Sequence, residues 1–356
     1  MLQMKRKAQT TPAPGLLLAW RPPDIDCDDR MPIGDELVLG RSTSATWCTT
    51  DRMLSRRHFA VVPDPETGGV RVRDLASSNG TFVEGVEIKD EHRVPPAGLI
   101  RAGDCLFVVI SRLDELTGPT GMVSTELIAR FHSAGLLRNL EEIARTGRHL
   151  LLEGESGYRK AAAARTYHGM ADKLSEHGRP GKLITLNAAS FHDEAHAMDV
   201  LFGTVAGEDT MARKGALQAA RKGTLFLDEA QNLSEKLQQK LHRFVEDGLL
   251  HLGEGDEPKN IDVKIILGAT PSPDRKERRL AADLVSKLAE IEISPLRERR
   301  ADIPSIFNYQ VRRRLDPGTA SSLIGSLGGY AMERLLLHDY REENEQEIVE
   351  LVIRLE

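Results

Sequence analysis

HLLLEGESGYRK, residues 149–160, is the stretch on which the reading of this chain turns. HLLLE is a short apolar run ending on an acidic residue, and it passes directly into Gly154-Glu155-Ser156-Gly157 and then into a helix-forming stretch that begins near Arg159. A strand, a glycine-rich turn and a helix opened by a lysine make a cradle in which backbone N–H groups and the positive helix end face phosphates. Gly154, Gly157 and Lys160 fit that pattern. The glycine expected before the lysine is Arg159, whose Cβ and side chain take space that backbone and phosphate need, unless the side chain swings outward and adds its charge. Further along, TLFLDE (224–229) ends a second apolar run on the acidic pair Asp228 and Glu229, which by itself reads as a cap on the next helix.

Outward from the loop, HLLLEG, LITLNA, TLFLDE and VKIILGAT alternate with helical stretches, which predicts a parallel sheet covered by helices on both sides. Upstream the pattern changes. LLLAW, ELVLG, HFAVV, VRVRDL, TFVEGVEI and CLFVVI are short β-rich runs separated by Gly, Asp, Pro and Asn, the spacing of a β-sandwich. The expected organisation is therefore multi-domain: a flexible polar tail over 1–15, an all-β sandwich over 16–113, a Gly/Thr/Pro-rich linker over 114–125, an α/β domain over 126–304 and a small helical lid over 305–356.

Composition sets bounds on function. A chain of 356 residues, 40% hydrophobic and 29% charged, is long enough for two cores. There is no long apolar run or signal-peptide pattern, so a cytoplasmic protein without a membrane partner is expected. The formal net charge of -6 argues against a nucleic-acid surface over the whole molecule. Cys27, Cys48 and Cys105 lack metal-ligand spacing and read as free thiols.

In the sandwich region, Gly40-Arg41, then Ser55-Arg56-Arg57-His58, then Ser77-Ser78-Asn79-Gly80-Thr81, with Gly85 closing a hairpin, all fall at strand ends. Loops at one end of a sandwich converge, so these arginines and serines can surround one dianion, and a phosphothreonine offers two charges and three acceptor oxygens. Taken singly, the same residues read as hairpin turns and a solvated face, or as a sandwich used only for protein contact. In order, GR, SRxH and SxNGT resemble the forkhead-associated (FHA) domain. The resemblance implies that Arg41, Ser55, Arg56 and Ser77 contact phosphate and that Asn79 binds the ligand backbone, with Gly40, His58 and Gly80 structural. Glu84 stands where the family has a second asparagine and cannot donate as an amide does.

The second half resembles the AAA+ domain of sigma-54 activators (NtrC-like), through HLLLEGESGYRK, LITLNAAS, LFG, KGTLFLDEAQNL and PLRERRADIP in one order. The resemblance implies ATP held by Gly154, Gly157, Lys160, Asn187 and Asp228. It also implies Mg2+ on Asp228 if ATP binds, Asp228 and Glu229 as the catalytic carboxylates, and Asn187 paired with Glu229. Several positions depart from the family. Ala161 follows the lysine in place of Glu, Gly207-Glu208-Asp209-Thr210-Met211-Ala212 replaces the GAFTGA loop that engages sigma-54, and Pro271 replaces a sensor asparagine. Leu280 to Leu288 carries Ala281 and Lys287 where trans-acting arginines belong, although Arg279 substitutes if the alignment shifts. Gln346 or Glu345 replaces a nucleotide-sensing arginine.

These readings predict a bacterial phosphothreonine-dependent signalling and transcription-regulatory protein with a threonine-phosphorylated partner from a Ser/Thr kinase pathway. Its AAA+ module is expected to be degenerate, a pseudo-ATPase serving as an interaction or nucleotide-binding module, with Asp228 and Glu229 vestigial. The alternatives are an ATP-binding subunit of a mixed ring, hence homo- or hetero-oligomers, and an active ATPase acting in sigma-54-dependent transcription. The chain stops at Glu356, where this family carries a helix-turn-helix, so direct sequence-specific DNA binding is not expected. Thr10 and Thr11, before Pro12, are candidates for phosphorylation and capture by a neighbouring FHA domain.

Overall fold

The structure, a computed structural model, describes residues 14–113, 131–157, 159–174, 181–204, 212–252, 257–271, 280–341 and 344–355. Two antiparallel sheets open the chain. One runs Arg30–Pro32, Gly15–Trp20, Cys105–Ile110, Leu99–Ala102, Thr81–Val83, Val86–Ile88 in spatial order. The other runs Trp47–Cys48, Leu37–Gly40, Phe59–Asp64, Gly69–Asp74, His92–Val94, with only its first pair parallel. Alternation explains the second sheet: along Gly69–Asp74, Val70 and Val72 are fully buried while Arg73 faces water. Leu16, Leu18, Leu39, Phe59, Val61 and Phe107 fill the space between the sheets.

The first sheet has no wet side at its centre. Gly15–Trp20 and Cys105–Ile110 are buried at every position, although an antiparallel sandwich sheet ordinarily leaves alternate residues in solvent. Leu16, Leu18, Phe107 and Val109 point into the sandwich. Leu17, Ala19, Leu106 and Val108 point the other way, into a second core shared with Ile303, Ile306, Phe307 and Met332 of the C-terminal helices. A register shift between Leu18 and Trp20 breaks strict alternation and places Trp20 beside Ala19 on that outer face. The sandwich is thus roofed by the helical subdomain.

Polar contacts fix this docking. Arg101 Nε lies 2.8 Å from Glu333 Oε2, Arg300 Nη1 lies 2.7 Å from Glu84 Oε1, and the Gly329 N–H donates to Asp104 Oδ1 at 2.9 Å. Gly329 permits the approach, since a Cβ there would lie 2.7 Å from the Asp104 Cα and 2.9 Å from its carbonyl oxygen. Gly329→Ala should therefore push helix and sandwich apart at a cost of about 1–3 kcal/mol, measured as a lower urea midpoint.

The second half holds a five-stranded parallel sheet ordered Leu183–Asn187, Thr224–Asp228, Lys264–Ala269, Leu150–Glu153, Ala289–Glu292. Its central strands are continuous apolar runs because helices cover both faces: Arg159–Leu174 and Phe131–Thr146 pack on one side, Glu235–Asp247 on the other. Helices Ile303–Arg314, Pro317–Ser326, Gly329–Leu337 and Glu345–Ile353 form the terminal subdomain. Its last helix returns to the glycine-rich loop after Leu150–Glu153, so the lid touches both the sandwich and that loop.

Candidate functional site

Two phosphate-related sites were expected, and their states differ. At one end of the sandwich, the loops after Gly40, around Ser55 and before Gly80 enclose a cleft of about 680 Å³. Arg41, Arg52, Arg56 and Arg57 line it together with Ser42, Ser44, Ser55, Ser78 and Asn79. The four arginines are exposed, and among the described residues none of their side chains has an ion-pair partner. Unpaired guanidinium groups converging on one concavity provide fork-shaped donors for a dianion.

The backbone beneath is tightly set. Arg41 N–H donates to the Ser55 carbonyl and Ser42 N–H to the Arg56 carbonyl, both at 3.1 Å. Gly40 allows this pairing, because a Cβ there would lie 2.2 Å from the Arg56 carbonyl oxygen. His58 is fully buried: its Nδ1 accepts from the Ser55 N–H at 3.0 Å and its Nε2 donates to the Gly80 carbonyl at 3.0 Å. Burial lowers the pKa of His58, outweighing the hydrogen bond to Gly80 and the nearby Asp74, and the neutral ring suits one accepting and one donating nitrogen.

Arg41, Ser55, Arg56 and Asn79 are brought together at the cleft, with Ser55 Oγ accepting from the Ser78 N–H at 3.0 Å. Asn79 Nδ2 donates to the Met53 carbonyl at 2.6 Å and so ties two of the loops together. Ser77 is placed differently. Its hydroxyl donates to Asp74 Oδ1 at 2.7 Å, where the Thr81 hydroxyl also donates, and Ser78 is the serine lining the cleft. Burial raises the Asp74 pKa, but the Thr81 and Ser77 donors outweigh it and hold it below the usual carboxylate range. Arg52 was not singled out from sequence, and Arg57 stood there only as a neighbour of Arg56, although the basic residues in DRMLSRRH were a visible signal.

The second site is filled by the protein's own side chains. Lys160 is 1% exposed, and its Nζ donates to the Gly154 carbonyl at 3.1 Å, the Glu155 carbonyl at 3.3 Å and Thr270 Oγ1 at 3.1 Å. Glu229 Oε1 lies 3.4 Å from that ammonium and accepts from the Thr270 hydroxyl at 3.1 Å, while its Oε2 accepts from Gln231 Nε2 at 2.6 Å. Asp228 Oδ1 accepts the Glu229 N–H at 3.0 Å and stands 3.9 Å from Lys160. Burial raises the Asp228 pKa against the pull of Lys160. Gly157 has a φ of +132°, a conformation open in practice to glycine alone.

Asn187 does not pair with Glu229 as expected. Its Oδ1 accepts the Ala189 N–H at 2.9 Å and caps the short 3-10 turn Ala188–Ser190, because an asparagine ahead of a turn satisfies the nearer orphan donor. Thr270 and Gln231 hold Glu229 instead, and neither stood out in the sequence.

Arg159 does not swing outward. It is buried, with Nη1 2.8 Å from Glu345 Oε1, and Arg299 Nη2 lies 2.8 Å from the same oxygen. Asn344 Nδ2 donates to Glu155 Oε2 at 3.1 Å and to the Ser156 carbonyl at 3.2 Å, and Arg297 Nη1 donates to Glu155 Oε2 at 2.8 Å. The void left between Lys160, Arg159, Ser294, Arg299 and Asn344 is about 10 Å³. That is room for about one water molecule. In this arrangement the cations beside the loop face carboxylates of the same chain.

Among the other positions read from sequence, Lys287 pairs with Glu246 at 2.8 Å and Ala281 precedes a short helix, Ala282–Ser286. Gly207 to Met211, Arg279, Thr10, Thr11 and Pro12, and the linker 114–125, lie outside the described residues. Among the described residues no helix is long and apolar enough to cross a membrane, and no cluster of His, Cys, Asp and Glu could hold a metal ion.

Comparison with known proteins matches each half separately. Residues 37–103 match the FHA domain and residues 129–294 the sigma-54 interaction domain. The chain is 32% identical over 200 residues to the acetoin dehydrogenase operon transcriptional activator AcoR of Bacillus subtilis, covering 53% of this chain and 32% of that protein. It is 29% identical over 236 residues to the nitrogen assimilation regulatory protein NtrX of Azorhizobium caulinodans, covering 65% of this chain and 49% of that one. It therefore spans about a third of the length of the first of these relatives and about half of the second. Among solved structures, NtrX from Brucella abortus in complex with ADP aligns with a TM-score of 0.51 at 27% identity, covering 63% of this chain and 48% of that one. The same protein in complex with ATP aligns with a TM-score of 0.50 at 26% identity, covering 68% and 53%.

Proposed function

Because the chain joins an FHA domain to a sigma-54 interaction domain of the AAA+ type, we propose that it is a phosphothreonine-dependent regulator of transcription-linked signalling. In this reading the sandwich docks a threonine-phosphorylated protein and the AAA+ module works as an interaction module with little or no ATP hydrolysis. One observation carries it: the arginine-lined cleft is open and its charges are unpaired among the described residues, whereas the nucleotide loop is closed on its own side chains. A phosphate dianion entering the cleft would meet Arg41 and Arg56 as forks, the Ser55 hydroxyl as a donor, and Arg52 and Arg57 at the rim. Asn79, held against the Met53 carbonyl, is placed to present its amide to the backbone of a bound peptide.

The carboxylate arrangement supports the second half of the reading. Glu229 Oε1 faces Lys160 and accepts from Thr270 while Oε2 accepts from Gln231, so a water-activating role would require these contacts to give way. Phosphothreonine peptides measured against the full chain by fluorescence anisotropy should bind, and Arg41→Ala should weaken binding about 10- to 100-fold by removing one charge-assisted fork of about 1.5–3 kcal/mol. Equal affinity for the unphosphorylated peptide would refute the reader assignment. Turnover of ATP that disappears in Lys160→Ala would refute the pseudo-ATPase assignment.

A further inference from the structure

The closed nucleotide loop is more than a site with missing parts. Arg159 sits on the first turn of the helix Arg159–Leu174 and Glu345 on the first turn of Glu345–Ile353, so one ion pair joins the glycine-rich loop to the last helix of the lid across 186 positions of sequence. Glu345 Oε1 accepts from both Arg159 and Arg299, and Asp302 Oδ2 lies 3.8 Å from the second guanidinium. Around this cluster the lid adds a second tie, the Asn344 amide on Glu155 and on the Ser156 carbonyl, while Asn344 Oδ1 accepts the Leu296 N–H at 3.0 Å. Lys160, the group a phosphate would need, is spent on Glu229, Asp228, Thr270 and two loop carbonyls. Among the described residues the cations at the loop thus stand against carboxylates of the same chain, as a triphosphate's charges would otherwise do.

Building on the pseudo-ATPase reading above, the geometry points to an internal replacement for nucleotide: the Arg159–Glu345–Arg299 cluster takes the place of the phosphates and holds the lid closed on the loop. The module then keeps its closed shape without any ligand. Because the lid also roofs the sandwich, the closed loop, the lid and the phosphopeptide cleft stand in a fixed relation that does not depend on ATP. Two departures from the ordinary loop, an arginine before the lysine and a glutamate opposite it, become halves of one device rather than independent losses.

The test uses the full chain and a fluorescent ATP analogue with Mg2+, read by anisotropy, with lid closure read by hydrogen exchange of residues 344–353. Wild type is expected to show no saturable binding up to about 1 mM and full protection of that helix without nucleotide. Arg159→Gly/Glu345→Ala, which removes both halves, is expected to lose the protection and to bind the analogue at least about tenfold more tightly than wild type. Saturable binding by wild type that Lys160→Ala abolishes would overturn the inference. If no turnover accompanied it, the pseudo-ATPase reading would stand, and turnover would remove both. No gain of binding in a folded double variant would also overturn the inference.

If that variant does not fold, Glu345→Gln decides: the amide oxygen still accepts from Arg159 and Arg299 but carries no charge, so protection of residues 344–353 should fall relative to wild type. Unchanged protection in Glu345→Gln would show that the charge of Glu345 is not what closes the lid.

Discussion

Glu345→Gln should lower the stability of the chain by about 3–5 kcal/mol, the cost of leaving buried charges without their counter-ion. The amide oxygen of glutamine can still accept from Arg159 and Arg299, so the shape of the cluster survives and the loss reports charge alone. Burial raises the Glu345 pKa, but Arg299 and then Arg159 outweigh it, and the net shift is downward. Burial and the neighbouring Arg159 push the Arg299 guanidinium down to about 10, against the pull of Glu345 and Asp302. A carboxyl depressed in the folded state contributes stability above its ordinary value of 4.5, and that contribution fades as pH falls through the folded value. Glu155, held low by Arg297, has the same sign. Urea unfolding of wild type should therefore show stability falling steeply below about pH 4.5, and Glu345→Gln should start lower and fall less. Parallel curves for the two proteins would show that Glu345 carries no special load.

Glu333→Gln should have the next largest effect, about 3 kcal/mol, through the contact between sandwich and lid. The Glu333 side chain is 2% exposed, and its partner Arg101 is flanked by the Phe82 ring, whose centroid lies 3.8 Å from the guanidinium carbon. Removing the carboxylate leaves Arg101 over an aromatic face with no anion, in a core shared by two domains. A fall in the unfolding midpoint monitored by Trp20 fluorescence, which sits in that shared core, would measure it. If Glu84→Gln, which frees Arg300 at a more exposed pair, cost as much as Glu333→Gln, the argument from burial would fail.

The sandwich motifs and the alternating strands and helices were legible because their signals are local: a turn needs its glycine, a strand its period, a phosphate loop its spacing. The role of Arg159 was not, because its meaning depends on Glu345 at the far end of the chain, and sequence spacing carries no record of which buried charges meet. Asn187 shows a related limit: its amide oxygen caps the local turn through the Ala189 N–H, a contact that the family's motif does not encode. The outer face of the sandwich did leave a trace that went unread: GLLLAW and CLFVVI lack polar alternation, which in an antiparallel sheet means that both faces are covered. Ser77 and Ser78 differ only in which side of the strand end they face, a choice that Asp74 makes and the motif does not.

That doubly covered sheet bears on how the molecule can be taken apart. A fragment cut after residue 113 would carry Leu17, Ala19, Trp20, Leu99, Leu106 and Val108 to its surface as one contiguous oily face. Expressed by itself, the sandwich should precipitate or self-associate, and light scattering on the fragment would detect it. Replacing Leu17 and Val108 on that face with polar residues should restore a monodisperse sample while leaving the arginine-lined end untouched.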